Sequence, residues 1–182
     1  MKKLFFILSV NFLALFGLFQ TACNTKNVIL DPQEYFDSIV HQTTIQVNAH
    51  NFLMDRLDEE KPDFHITEKA LNDYKSYTEK AIHCITILGP YEENNTYRAA
   101  TLEYLTLDLK IINNDYKQFL EILKKNNGDF SEADAEKWDK MMDKINEKEE
   151  KVEEIYYQAE EAFAKKYDFE LEKPIIKHHR SF

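Results

Sequence analysis

The stretch that decides the fold is residues 101–123, TLEYLTLDLKIINNDYKQFLEIL. Leu102, Leu105, Leu109, Ile112, Tyr116, Phe119 and Leu123 recur at alternating steps of three and four residues. That spacing places one apolar stripe along a long helix and cannot be drawn as a strand, whose faces alternate every second residue. Asn126-Asn127-Gly128 closes the helix on its C-terminal side, and Asn94-Asn95-Thr96 precedes it.

Working outward, the same period appears three more times. Asp31-Pro32-Gln33-Glu34 opens a first helix: Asp31 can cap, Pro32 suits the first turn and Glu34 can reach back to the cap. Its stripe is Phe36, Val40, Val47, Met54 and Leu57, flanked by Ile39 and Leu53, with Thr43 and His50 in the gaps. Lys61-Pro62-Asp63 ends it. The second helix is expected from Ile66 or Thr67 to Leu88, with Ala70, Tyr74, Tyr77, Ala81, Cys84 and Leu88 inward and Gly89-Pro90 as its stop.

Ser131-Glu132-Ala133-Asp134 opens the last helix, which reaches about Tyr167 through Trp138, Met142, Ile145, Val152, Tyr156, Ala159 and Phe163. Glu149 interrupts this stripe. Glu136–Lys140, Glu147–Lys151 and Glu161–Lys165 stand in the favourable i,i+4 order.

Only 3 Gly and 4 Pro among 182 residues also disfavour a turn-rich β domain. The expectation is all-α: an antiparallel up-down-up-down bundle of four long helices over 31–168, at about 31–60, 66–88, 95–127 and 131–167. Short connections make sequential helices antiparallel neighbours. A three-helix core with one displaced helix is the alternative, and 169–182 is a C-terminal tail.

The N-terminus reads differently. Lys2 and Lys3 precede an apolar run from Leu4 to Phe19, followed by Gln20-Thr21-Ala22-Cys23. Two lysines retained on the cytoplasmic side and a short apolar helix describe an export signal. At 16 residues the run is shorter than the roughly 20 that a permanent span needs. The segment resembles the lipobox of bacterial lipoproteins, in which small or neutral residues lead to a cysteine that receives diacylglycerol and is often acylated on its freed amine. Ala22 fits position −1 and Thr21 is tolerated at −2, whereas Gln20 departs from the usual leucine at −3.

The resemblance implies a signal peptide over 1–22, lipidation of Cys23 (with palmitate-type chains) and a tether over 23–30. Asn24 after the cysteine is not the Asp of inner-membrane retention, so the outer membrane or cell surface is the expected location. With Cys23 lipidated, Cys84 would lack a partner within the chain and serve as a buried small hydrophobe.

Function is less legible. Formal charge is −10; losing Lys2 and Lys3 leaves 21 bases against 33 acids, or −12. Such a surface repels nucleic acid. No Glu-x-x-His pair of a ferritin-like di-metal bundle occurs. Asp37…His41 and Glu79…His83 each supply half a site at most, on faces away from the stripes. His50 falls on the first stripe, either as a ligand for haem or metal, with Met141 or Met142 facing it, or as a core histidine bonded to a tyrosine hydroxyl or helix carbonyl. The latter is favoured because no second ligand is specified. Cys84 and His83 point about 100° apart on one helix and make a poor catalytic pair. Asp37-Ser38-Ile39 resembles a short O-glycosylation sequence of Bacteroidota, marking Ser38 as a minor candidate.

The layout of lipobox-like start, tether and Lys/Asn/Tyr-rich bundle resembles uncharacterised helical surface lipoproteins of Bacteroidota and spirochaetes. It implies an extracytoplasmic, non-enzymatic binding or structural module without cofactor, joined to the membrane through Cys23 and to an unknown protein or envelope partner. A carrier of haem or a hydrophobic ligand near His50 is the rival reading.

Overall fold

A computed structural model describes residues 30–126 and 131–171. The expected signal peptide, Cys23, most of the tether and the tail beyond Leu171 lie outside these residues. The described chain is an all-α four-helix bundle built from α1 (Pro32–Leu57), α2 (Phe64–Leu88), α3 (Thr96–Ile111), α4 (Lys117–Lys125) and α5 (Glu132–Tyr167). A π-helical turn, Ile112–Tyr116, joins α3 to α4, so these form one rod with a widened turn in it.

Helix starts follow local chemistry. The Asp31 carboxylate accepts the Glu34 amide, and the Glu34 side chain accepts the Asp31 amide in return. Ser131 and Asp134 make the same reciprocal arrangement at α5. Each satisfies amides that the first helical turn leaves without partners. At α2 the expected start is corrected: the helix begins at Phe64, because the Asp63 carboxylate caps the Ile66 amide. Asp63 therefore opens α2, while α1 has already ended at Leu57 with Asp58 as its cap.

The ends need unusual backbone at two places. Gly89 closes α2 at φ +75° and ψ −178°, a region open to glycine and strained for other residues. Asp168 closes α5 in the left-handed region, and the Phe169 amide returns to the Ala164 carbonyl. Between α2 and α3, Tyr91–Asn94 forms a tight turn with Glu92 at positive φ.

Helix ends meet in a consistent pattern. The Tyr35 hydroxyl at the start of α1 donates to the Gly89 carbonyl at the end of α2 (2.8 Å). Arg98 at the start of α3 donates to the Ile85 and Thr86 carbonyls near the end of α2. Tyr97 packs on Phe163 near the end of α5, and Tyr116 lies beside Trp138 near its start.

Two apolar clusters fill the bundle. One gathers Tyr35, Phe36, Ile39, Ile85, Tyr97, Leu105, Tyr156 and Phe163. The other gathers Leu53, Leu71, Ile112, Tyr116, Leu123, Met142 and Ile145. Phe169 and Leu171, assigned to the tail by sequence, pack against the first cluster and belong to the folded body.

The buried faces are rotated from the expected stripes in places. Ile39 and Leu53, placed as flankers, are among the most deeply buried residues of α1. Tyr77, expected inside, is 42% exposed, and Thr78 and Ile85 take the interior positions of α2. In α3, Leu102 and Leu109 are only half-buried; Tyr104, Leu105 and Asp108 face the core.

Candidate functional site: a buried polar layer

Polar side chains are buried within the bundle as well as at its surface. Gln42, Thr43 and Gln46 come from α1, Thr78 from α2, Thr101 and Asp108 from α3, and Glu153 from α5. The threonines are settled within their own helices: Thr43 donates to the Ile39 and Val40 carbonyls, Thr78 to Tyr74 and Thr101 to Tyr97. Threonine at such positions covers its hydroxyl without needing another helix.

Gln46 and Asp108 depend on other helices. The Gln46 amide nitrogen donates to the Asp108 carboxyl at 2.5 Å and to the Tyr74 hydroxyl at 3.2 Å. Tyr74 also bonds to Asp108, so α1, α2 and α3 are joined by one polar contact set. Gln46 is fully buried and Asp108 is 2% exposed. The partners of Asp108 are an uncharged amide and a phenol, and neither supplies a compensating positive charge. Burial consequently pushes its carboxyl up to about 7; the Tyr74 and Gln46 hydrogen bonds oppose the rise and the charge of Glu153 adds to it.

Aromatic hydroxyls surround this centre. Burial raises Tyr74, Tyr104 and Tyr116 well above the usual phenol range, and the negative charges of Asp108 and Glu149 raise all three further. The amide oxygen of Gln46 is buried without a hydrogen-bond partner. An unsatisfied buried acceptor costs about 1–3 kcal/mol, so the layer is incompletely compensated.

His50 borders the layer. It is half-buried, stacks on Tyr74 with ring centroids 5.0 Å apart, and its Nε2 lies 3.1 Å from the Tyr116 hydroxyl. The Tyr116 hydroxyl also lies 3.6 Å from the Met54 sulfur. A phenol has one proton to donate, so both contacts are satisfied together when Nε2–H donates to Tyr116 and Tyr116 donates to sulfur. A tyrosine hydroxyl is one of the two partner types, beside a helix carbonyl, expected for this histidine from the sequence. Metal or haem ligation through Nε2 would have to displace it. Met142 is buried in the cluster that holds Tyr116, with Met141 packed against it.

The remaining candidates disperse. Asp37 accepts the Gln33 amide on the exposed face of α1, and Glu79 pairs with Lys75. Ser38 lies in α1 with its hydroxyl donated to the Glu34 carbonyl at 2.7 Å. Among the described residues, no group of three or more His, Cys, Asp or Glu is placed to hold a metal ion.

Cys84 is buried on α2, as its stripe position implies. It is not a free thiol. The chain's one other cysteine is Cys23, outside the described residues.

Sequence reasoning overlooked Gln46, Asp108 and Glu153. The available signal was a charged residue flanked by Leu107 and Leu109, and a glutamine one step before Val47. Comparison with protein-family models, curated proteins and solved structures finds no match.

Proposed function

We propose that this chain is a lipid-anchored envelope protein, exported through its N-terminal segment, whose bundle acts as a non-enzymatic binding or structural module. The observation that carries the reading is the apolar run Leu4–Phe19 ending just before Cys23. Two or three acyl chains, at about 0.8 kcal/mol per buried CH₂, would hold the protein on a bilayer. Among the described residues no helix is long and apolar enough to cross a membrane. A seven-residue link from Cys23 to Leu30 would keep the bundle within roughly 25 Å of the anchor. The pairing of helix ends supports an up-down-up-down order.

The binding role rests on the outer surface. Phe52, Ile66, Tyr77, Ile87 and Ile155 remain substantially exposed on α1, α2 and α5. They are distributed among charged residues, as suits recognition of a protein or envelope component by a helical face. Ser38 is retained as a minor acceptor for surface glycosylation.

A disulfide at Cys84 would favour an extracytoplasmic location, since such bonds persist mainly outside the reducing cytosol, but with Cys23 as the one other cysteine it would compete with lipid for that sulfur. It also sharpens the test, because a sulfur carrying thioether-linked lipid cannot bridge to Cys84. Mass spectrometry of the native N-terminal peptide, with and without reductant, separates these fates. A diacylglyceryl-modified Cys23 supports anchoring; release of an unlipidated Cys23 peptide from Cys84 by reductant removes it.

A further inference from the structure

We propose that the bundle stands upright on the membrane, with the aromatic end formed by Tyr91, Tyr167, Phe169 and Leu171 seated in the headgroup layer of zwitterionic lipid. This orientation rests on the anchored reading above and adds to it the surface that meets the bilayer.

Four helix ends converge there. The first turn of α1 is joined to the α2 cap through Tyr35 and Gly89, and the start of α3 to the last turn of α2 through Arg98. The end of α5 is joined to the turn between α2 and α3, where the Tyr167 hydroxyl donates to the Glu92 carboxylate at 3.2 Å. Leu30 packs into the same apolar cluster as Tyr91, Tyr167, Phe169 and Leu171. The chain therefore enters the bundle at this end, and the segment leading back to Cys23 starts there.

Lengths exclude the inverted orientation. The 36 residues of α5, at about 1.5 Å each, span about 54 Å. The seven residues from Cys23 to Leu30 reach roughly 25 Å at full extension. A chain anchored at Cys23 cannot stand on the opposite end, where Trp138 packs with Tyr116 and Phe119.

The chemistry of the aromatic end suits an interface. Tyr91 packs against both Tyr35 and Tyr167, with ring centroids 5.1 Å apart in each pair, and Phe163 joins Tyr167 to Phe169. Tyr91, Tyr167, Phe169 and Leu171 are each partly exposed, so a connected apolar rim is left open. Phenol rings are amphipathic and favour the boundary between hydrocarbon and water. Lys165 and Lys166, in the last turn of α5, can lay their stems on lipid and keep their ammonium groups hydrated. Glu92, Glu93, Asp168 and Glu170 are exposed at the same end and outnumber these two bases. Anionic headgroups are repelled by that balance, and zwitterionic lipid is the matching surface.

The test uses lipidated full-length protein in phosphatidylcholine vesicles whose acyl chains carry bromine, a short-range quencher of tryptophan. Trp138 is the chain's one tryptophan and reports on the far end. Its emission should be unquenched. In a Trp138→Phe background, the indole introduced by Tyr91→Trp should be quenched and shifted to the blue. Tyr167→Trp reads the same rim if Tyr91→Trp does not fold. Exchanging part of the lipid for phosphatidylglycerol should reduce this quenching while flotation with the vesicles is unchanged; stronger quenching would overturn the choice of zwitterionic lipid. Protein that floats with the rim indole unquenched, or with Trp138 quenched as strongly, overturns the upright orientation and leaves the anchor standing. Protein that does not float, with Cys23 unmodified, overturns the anchored reading and this orientation with it.

Discussion

The Tyr35 hydroxyl donates to the Gly89 carbonyl across 2.8 Å, joining the first turn of α1 to the last residue of the α2 cap. This bond is why the Gly89 peptide is held in one orientation. Burial also pushes the Tyr35 phenol up to about 12, so it remains a donor at any physiological pH. Tyr35→Phe should lower stability by about 1 kcal/mol, read from denaturant midpoints at unchanged slope.

Gly89 itself offers a cleaner test. Nothing lies within 4 Å of where a Cβ would sit, so Gly89→Ala meets no steric clash. Its φ of +75° with ψ of −178° is nevertheless unsuited to alanine. The substitution should cost about 1–3 kcal/mol from backbone strain alone. Equal stability of the two proteins would show that the loop relaxes freely.

The rotated core face can be checked by truncation. Leu105 is fully buried, so Leu105→Ala should cost about 2–5 kcal/mol. Leu109→Ala, at a half-buried site, should cost about 1 kcal/mol, and Tyr77→Ala no more than about 0.5 kcal/mol. If Leu109 and Tyr77 proved as costly as Leu105, the expected stripes would be right and the observed faces wrong.

Arg98 fastens α3 to the end of α2 through Nε to the Ile85 carbonyl at 3.0 Å and Nη2 to the Thr86 carbonyl at 3.1 Å. These carbonyls lie in the last turn of α2, where a cation is favoured by the helix dipole. Arg98→Ala should destabilise by about 1–3 kcal/mol. Arg98→Lys should restore only part of this, because a single ammonium cannot reproduce the forked geometry. Full recovery in the lysine variant would mean that charge alone matters.

His50 distinguishes the binding-module reading from the haem carrier. With Nε2 engaged by Tyr116, haem titration should give no Soret band dependent on His50. A band present in wild type and lost in His50→Ala would establish the carrier instead.

Much of the architecture was legible before any coordinates. Asp31, Glu34, Ser131 and Asp134 specify helix starts through contacts within four residues. Gly89 specifies a stop, and Leu105, Ile112, Tyr116, Phe119 and Leu123 lie on a stripe that is buried as spaced. Asp63 was read as an ending because proline precedes it, yet its carboxylate is the cap of the next helix. Local signals of this kind mark a boundary more firmly than they say on which side the helix lies.

What the sequence by itself determined is the number of helices and their approximate extents, since capping and periodicity are properties of neighbours in the chain. Only the tertiary structure decided that Asp108 turns inward while Leu109 lies half outside. Apolar periodicity assigns a charged residue to the solvent face unless another helix supplies its hydrogen bonds. Here Gln46 stands 62 residues away and Tyr74 belongs to a third helix. The partners that make a buried carboxyl tolerable become neighbours only when the bundle closes.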